Sequence, residues 1–213
     1  MADLWLFRDL SAEQRRAVQS QAHRRELRSG DVLFREAESC SAVHFVAAGR
    51  LKLSKLGENG REVTLGFLGS GEVLGEESFL SGEEYSFSAA AAEDSLVCSC
   101  EKEDFQRFLL ASPELALKVV SAFASRLSNL SDQLADMALY QVRGRVAATL
   151  LRLGSSYGVP TRAGLALSFA LTHDDLASLV GASRVMVTNV LAALREAGCI
   201  TVERHRVTLV DPA

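Results

Sequence analysis

The sequence predicts an α+β protein built from an N-terminal β-roll of jelly-roll type, one long helix and a C-terminal winged helix-turn-helix. Three observations carry that prediction. Residues 30–82 hold nine of the 15 glycines, set between short apolar runs. After Pro113 the apolar residues fall into alternating spacings of three and four, and residues 171–194, LTHDDLASLVGASRVMVTNVLAAL, read as two short helices joined by a glycine turn. These changes of period set the boundaries at 1–111 for the roll, 112–140 for the long helix and 141–213 for the winged domain.

In the first segment the runs DVLF, VHFV, LKLSKL and EVTLGFL have strand length, and Asn59-Gly60 is a hairpin-turn signal. Several short strands at regular spacing give a sandwich or barrel-like roll. Ser112 and Pro113 then supply an N-cap and a first helical residue. Within the helix Val120, Phe123, Leu127, Leu130, Leu134 and Met137 form an a/d seam. Periodicity alone also fits a core-facing helix of a monomer, and a paired DNA reader downstream favours a dimer seam. Residues 141–145, which include Gly144, read as the hinge.

The C-terminal hairpin is the most specific feature. Thr172 can N-cap the first helix with Asp175 three residues on, as in a capping box. Leu176, Leu179 and Val180 make its apolar stripe. Gly181 supplies a turn that can require positive φ, and Ser183 can N-cap the second helix. That helix buries Val187, Val190, Leu191 and Leu194. Its opposite face gathers Arg184, Val185, Thr188, Asn189, Ala192 and Arg195, a mixture suited to base edges and thymine methyls in a major groove. The residues expected at DNA are therefore Thr172, His173, Ser183, Arg184, Val185, Thr188 and Asn189. A plain helical hairpin with a solvated outer face would show the same pattern. Two β-prone runs, 199–202 and 207–210, follow with a basic connection and read as a wing, whose Arg204 and Arg206 either reach phosphates or stay solvated.

Charge is unevenly placed. The chain carries −4 overall, yet from Tyr140 onward there are 8 Arg, no Lys and 5 acidic residues, a balance of +3 on an otherwise acidic body. A basic end on an acidic body fits one DNA-facing domain and one that is not. MADLWLFRDL carries acids within its apolar run and resembles no signal peptide, and no run is long enough to span a bilayer, so a cytoplasmic protein without a membrane partner is expected. Cys40, Cys98, Cys100 and Cys199 have neither metal-type spacing nor the density of a disulfide scaffold, and Cys98 with Cys100 read as buried core thiols; no metal site is expected. The sequence lacks a Walker loop, an HExxH and a nucleophile elbow, which argues against an enzyme, and no catalytic residue is assigned.

Gly30, Gly49 in AAGRLKL, Gly71 in GSGEVLGE, the Gly75-Glu76 pair, Pro113, LTHDDLASLVGASR and LAALREAGCI occur in the order and spacing of a known family. The chain resembles the CRP/FNR family of bacterial transcription regulators over nearly its whole length. The resemblance implies a homodimer that senses a small effector or a cofactor state in the roll, binds a palindromic operator in double-stranded DNA and acts on RNA polymerase. It also implies an effector site containing Gly75, Glu76, Tyr85, Ser86, Arg126, Leu130 and Ser131. In cyclic-AMP-binding members an arginine meets the cyclic phosphate where this chain has Tyr85, followed by a hydroxyl residue that Ser86 matches. Residues 62–101 contain no Lys or Arg and nine acidic residues, so a phosphate there would lack its charge-assisted partner. Cyclic AMP is therefore not the expected ligand, and Tyr85→Arg is expected to restore part of its binding. Leu130 also replaces a hydroxyl that faces adenine in those members, with Ser131 retained beside it.

Alternatives remain at the effector. An FNR-type iron–sulfur cluster needs closely spaced early thiolates, and Cys40 is alone there. Haem sensing of NO or CO would need an axial ligand such as His23, His44, Cys40 or a methionine, none with a specific spacing. A nucleotide-binding regulatory module without specific DNA binding would explain the roll but not the winged helix. In the recognition helix the family's Ser-Arg-Glu is Ser183-Arg184-Val185 here, and Asn189 stands for a further arginine, so a half-site other than TGTGA and richer in A·T pairs is expected.

Overall fold

The computed structural model describes residues 22–76, 84–203 and 206–210. Residues up to Gly60 together with Leu65–Leu127 form one compact unit, and Arg61–Thr64 together with the residues from Ser128 on form a second.

The described residues carry eight strands ahead of the helices, all in the first unit except the start of β5, whose Glu62–Thr64 belong to the second: β1 (His23–Leu27), β2 (Val32–Phe34), β3 (Ala42–Ala48), β4 (Arg50–Leu56), β5 (Glu62–Gly69), β6 (Val73–Leu74), β7 (Ser88–Ala91) and β8 (Ser95–Glu101). They make two four-stranded sheets, ordered β1-β8-β3-β6 and β2-β7-β4-β5. The pairing of β3 with β8 sets Val43 opposite Cys100 and Phe45 opposite Cys98. Side chains alternate across a strand, so β3 presents two faces, and both are buried. Val46 joins Leu27, Phe34, Leu51, Leu74 and Val97 in a core shared by the two sheets. Val43 and Phe45 join Cys98, Cys100 and Phe105 on the other side, with Leu115 and Val119. This double burial is why VHFV reads as continuous apolar sequence broken only by a histidine. Gly49, at φ 80°, turns β3 into β4, and a Cβ there would collide with the Asp94 carbonyl oxygen and Ser95.

Among the described residues two helices follow these strands, the second running on past Leu127 into the second unit. The first, α1 (Lys102–Ala111), buries Phe105. The second, α2 (Pro113–Leu139), starts where Ser112 accepts a hydrogen bond from the Leu115 N–H at 3.4 Å. Leu115 and Val119 anchor its first turns. Phe123 departs from the seam assignment: it is half-buried against the roll cluster, because the core of the first unit extends that far along the helix. The other seam residues are exposed: Val120 61%, Leu127 66%, Leu130 44%, Leu134 69% and Met137 44%.

The second unit runs α3 (Val142–Tyr157), β9 (Gly158–Thr161), β10 (Gly164–Leu167), α4 (His173–Leu179), α5 (Arg184–Glu196), β11 (Ile200–Glu203) and β12 (Arg206–Leu209). Among the described residues its four strands form one antiparallel sheet, β11-β12-β10-β9. The sequence reading expected only the last two of these strands. Val146, Leu150, Phe169, Leu176, Val187, Leu191, Ile200 and Leu209 are buried in it. Arg152 on α3 holds Asp136 on α2 at 2.6 Å.

Candidate nucleic-acid interface and effector site

Local chemistry explains the helical hairpin. The Thr172 hydroxyl oxygen accepts from the Asp175 N–H at 3.0 Å, and the hydroxyl donates to the Asp175 carboxylate at 2.6 Å. Gly181 closes α4 at φ 60°, a left-handed conformation that costs other residues free energy. The Ser183 hydroxyl oxygen accepts from the Met186 N–H at 3.3 Å, so α5 begins where the cap pattern predicts. With Val187 and Leu191 buried, the remaining face of α5 is fixed by the 3.6-residue period.

That face carries Arg184, Val185, Thr188 and Asn189, all exposed, with Val185 at 69%. Arg184 lies 3.6 Å from Asp174, both side chains well in solvent. The Thr188 hydroxyl donates to the Arg184 carbonyl oxygen at 2.9 Å, and His173 Nδ1 sits 2.8 Å from the Thr188 hydroxyl oxygen. Thr172 and Ser183 are exposed caps whose side chains serve the helix ends. Arg206 stands exposed on β12 opposite Glu203. Arg204 lies outside the described residues. An exposed helix that combines one guanidinium, one amide and methyl groups matches the donor, acceptor and methyl pattern of major-groove base edges.

In the roll, Gly75 has φ 88°, and a Cβ there would lie 2.8 Å from the Ala42 carbonyl oxygen. Glu76 is buried, and Arg126 from α2 bonds its Oε1 at 3.0 Å and the Val73 carbonyl at 2.7 Å. Tyr85, at the position expected to face an effector, is instead only 5% exposed. Its ring stacks on Phe34 at 3.6 Å between centroids and 9° between planes. Its oxygen is 2.8 Å from His44 Nε2 and donates to the Ala42 carbonyl at 3.2 Å. His44 Nδ1 reaches Ser99 Oγ at 2.7 Å. Ser86 is exposed, as are Leu130 and Ser131 on α2.

Burial, with the Arg25 charge adding to it, holds the His44 pKa down to about 4, so the ring is neutral at ordinary pH. Both its nitrogens are engaged, which does not suit an axial haem ligand. Cys40 is also buried, its thiol directed at the Ala42 and Gly75 carbonyls, and His23 is exposed on β1. Cys98 and Cys100 are free, buried thiols as expected, and burial aided by Asp104 pushes Cys100 up to about 12. Among the described residues no cluster of His, Cys, Asp or Glu could hold a metal, and no single helix is long and apolar enough to cross a membrane. Sequence reasoning weighed His44 only as a ligand and missed its bonds to Tyr85 and Ser99, partners 41 and 55 residues away.

Comparison with known proteins bears on the whole chain. A cyclic nucleotide-binding domain matches residues 24–112 and a Crp-like helix-turn-helix domain matches residues 144–213. The chain is 33% identical over 211 residues to the cyclic AMP receptor protein of Thermus thermophilus, covering 97% of this chain and 94% of that protein. It is 26% identical over 195 residues to the anaerobic regulatory protein of Bacillus subtilis, covering 91% and 82%. The solved structure of FixK2 from Bradyrhizobium japonicum shares the fold, with a TM-score of 0.79 at 20% identity over 90% of this chain and 93% of that one. An N-terminal domain of the cyclic-nucleotide-binding type, a CRP-like helix-turn-helix and this identity along the full length together establish that the chain belongs to the CRP/FNR family of transcription regulators.

Proposed function

We propose that the chain works as a homodimer that reads a palindromic DNA site with α5, recruits or obstructs RNA polymerase there, and is controlled through the roll by a small effector other than cyclic AMP. It acts as a binding protein in the bacterial cytoplasm rather than as an enzyme. The observation that carries the reading is the exposed face Arg184, Val185, Thr188 and Asn189, held outward by the buried Val187 and Leu191. The exposed apolar residues from Val120 to Met137 on α2 support the dimer, since monomers rarely leave so large a stripe in water. The effector clause rests on Tyr85 and Arg126. The first is packed into the core where a cyclic phosphate would need a cation, and the second already neutralises Glu76. An anionic ligand entering there would have to displace Glu76 from Arg126 or remain without a charged partner.

Selection from a pool of randomised duplexes tests the proposal. The purified chain should enrich a two-fold site with half-site centres about 10 base pairs apart, richer in A·T than TGTGA. Enrichment of no motif, or of TGTGA half-sites, would overturn it.

A further inference from the structure

The contact between His173 and Thr188 bears on how α5 reads sequence. The two residues come from different helices, 15 positions apart, and meet at 2.8 Å on the exposed side of the hairpin. Thr188 has one hydroxyl proton, and it is directed at the Arg184 carbonyl oxygen one turn earlier at 2.9 Å. A hydroxyl that has given its only proton to a carbonyl can meet a second nitrogen only as an acceptor. His173 therefore carries its own proton on Nδ1 and donates it to Thr188. Two hydrogen bonds then fix the rotamer of a short side chain, and the γ-methyl is its one heavy atom outside them.

We infer that His173 is a positioning residue for base readout: it holds the Thr188 hydroxyl inward, so that the exposed end of Thr188 is a methyl group. The inference rests on the reading of α5 as the recognition helix and adds a specificity rule to it. Val185, beside it on the same face, also offers only methyls. The face then reads one part of each half-site by apolar contact with the thymine 5-methyl, and Asn189 supplies the hydrogen-bonding element. The Arg184–Asp174 pair provides no comparable constraint, since both side chains are 68% exposed and such pairs hold geometry weakly. A hydroxyl released from His173 could turn outward and accept from or donate to a base edge, which changes the preferred base at that position.

The test is binding-site selection with four variants in the full-length chain. Thr188→Val keeps the γ-methyl and puts a second methyl in place of the hydroxyl, so the motif should stay that of the unaltered protein. His173→Ala should relax or change the preference at one position of each half-site, by roughly fivefold to a hundredfold between bases. His173→Ala combined with Thr188→Val should return the original preference, because no hydroxyl remains to be released. His173→Asn, whose amide N–H can still donate, should behave like the unaltered chain. The inference is overturned if Thr188→Val alone changes the preferred base. It is equally overturned if His173→Ala weakens all sequences alike and the second substitution restores nothing, which is the behaviour of a merely structural contact. Failure of the unaltered chain to enrich any motif overturns the reading of α5 itself, an outcome distinct from the other two.

Discussion

Aspartate at both Leu127 and Leu134 should split the proposed dimer while leaving each chain folded. In the single chain these side chains are 66% and 69% exposed, so about two-thirds of each remains for a partner to cover. Full burial of a leucine is worth about 1.5–3 kcal/mol, which makes each contribution about 1–2 kcal/mol and the four leucines of a two-fold pair about 4–8 kcal/mol. Losing that alone raises the dimer dissociation constant by about three to six decades. Four carboxylates forced into the same seam add desolvation of several kcal/mol each unless the helices part. Within one chain the same substitutions touch solvent, and their cost is limited to about 0.5 kcal/mol apiece in helix propensity. Sedimentation equilibrium across a wide range of concentration, run beside a circular dichroism melt, separates the two effects. A monomer with a nearly unchanged melting temperature is the expected result. A double variant that remains a full-strength dimer would refute the seam, and one that unfolds would show that these leucines serve the chain's own core.

Three further outcomes follow from the site. Because the folded-state pKa of His44 is about 4, below its ordinary 6.5, the unfolded chain takes up a proton first as pH falls; stability is then complete above about pH 6.5 and declines toward pH 4 by about 3 kcal/mol. Urea unfolding at a series of pH values should show this decline, and His44→Gln should flatten it between pH 6.5 and 5; an equal slope in both proteins would contradict the assignment. Calorimetric titration with cyclic AMP should show weak or no binding, and Tyr85→Arg, which the family resemblance alone predicts would restore part of that binding, should instead lose stability by about 3–5 kcal/mol by removing a stacked, buried ring and placing a cation in the core; micromolar binding by the unaltered chain, or a stable arginine variant, would count against the packed Tyr85. Val185→Glu should alter the preferred base at one half-site position with discrimination changed by about 1–3 kcal/mol, and an unchanged motif would remove Val185 from the reading face.

The winged domain was legible in sequence where its chemistry is local. Thr172, Gly181 and Ser183 cap and turn the chain within three residues of themselves, so their roles follow from residue type and spacing. The strands β9 and β10 were not legible. GVPT and GLAL are four residues each, with proline and glycine in them, and pair only because Gly164 turns the chain while β12 covers the other edge. Tyr85 shows a different limit. Alignment to a family motif gives its position along the chain, whereas its burial depends on Phe34 and His44, which lie far away in sequence. Phe123 follows the seam period perfectly well, yet the roll core claims it, since periodicity fixes a helix face without saying what covers that face.

The claim at the centre of this account is that two copies of the chain read one DNA site with paired recognition helices. The mass of the complex on a selected palindromic duplex, compared with that on a duplex holding a single half-site, tests it most directly. Two chains per palindrome, with binding weakened by at least about a hundredfold when one half-site is scrambled, is the result predicted. One chain per duplex, or equal affinity for the palindrome and the half-site, would contradict it.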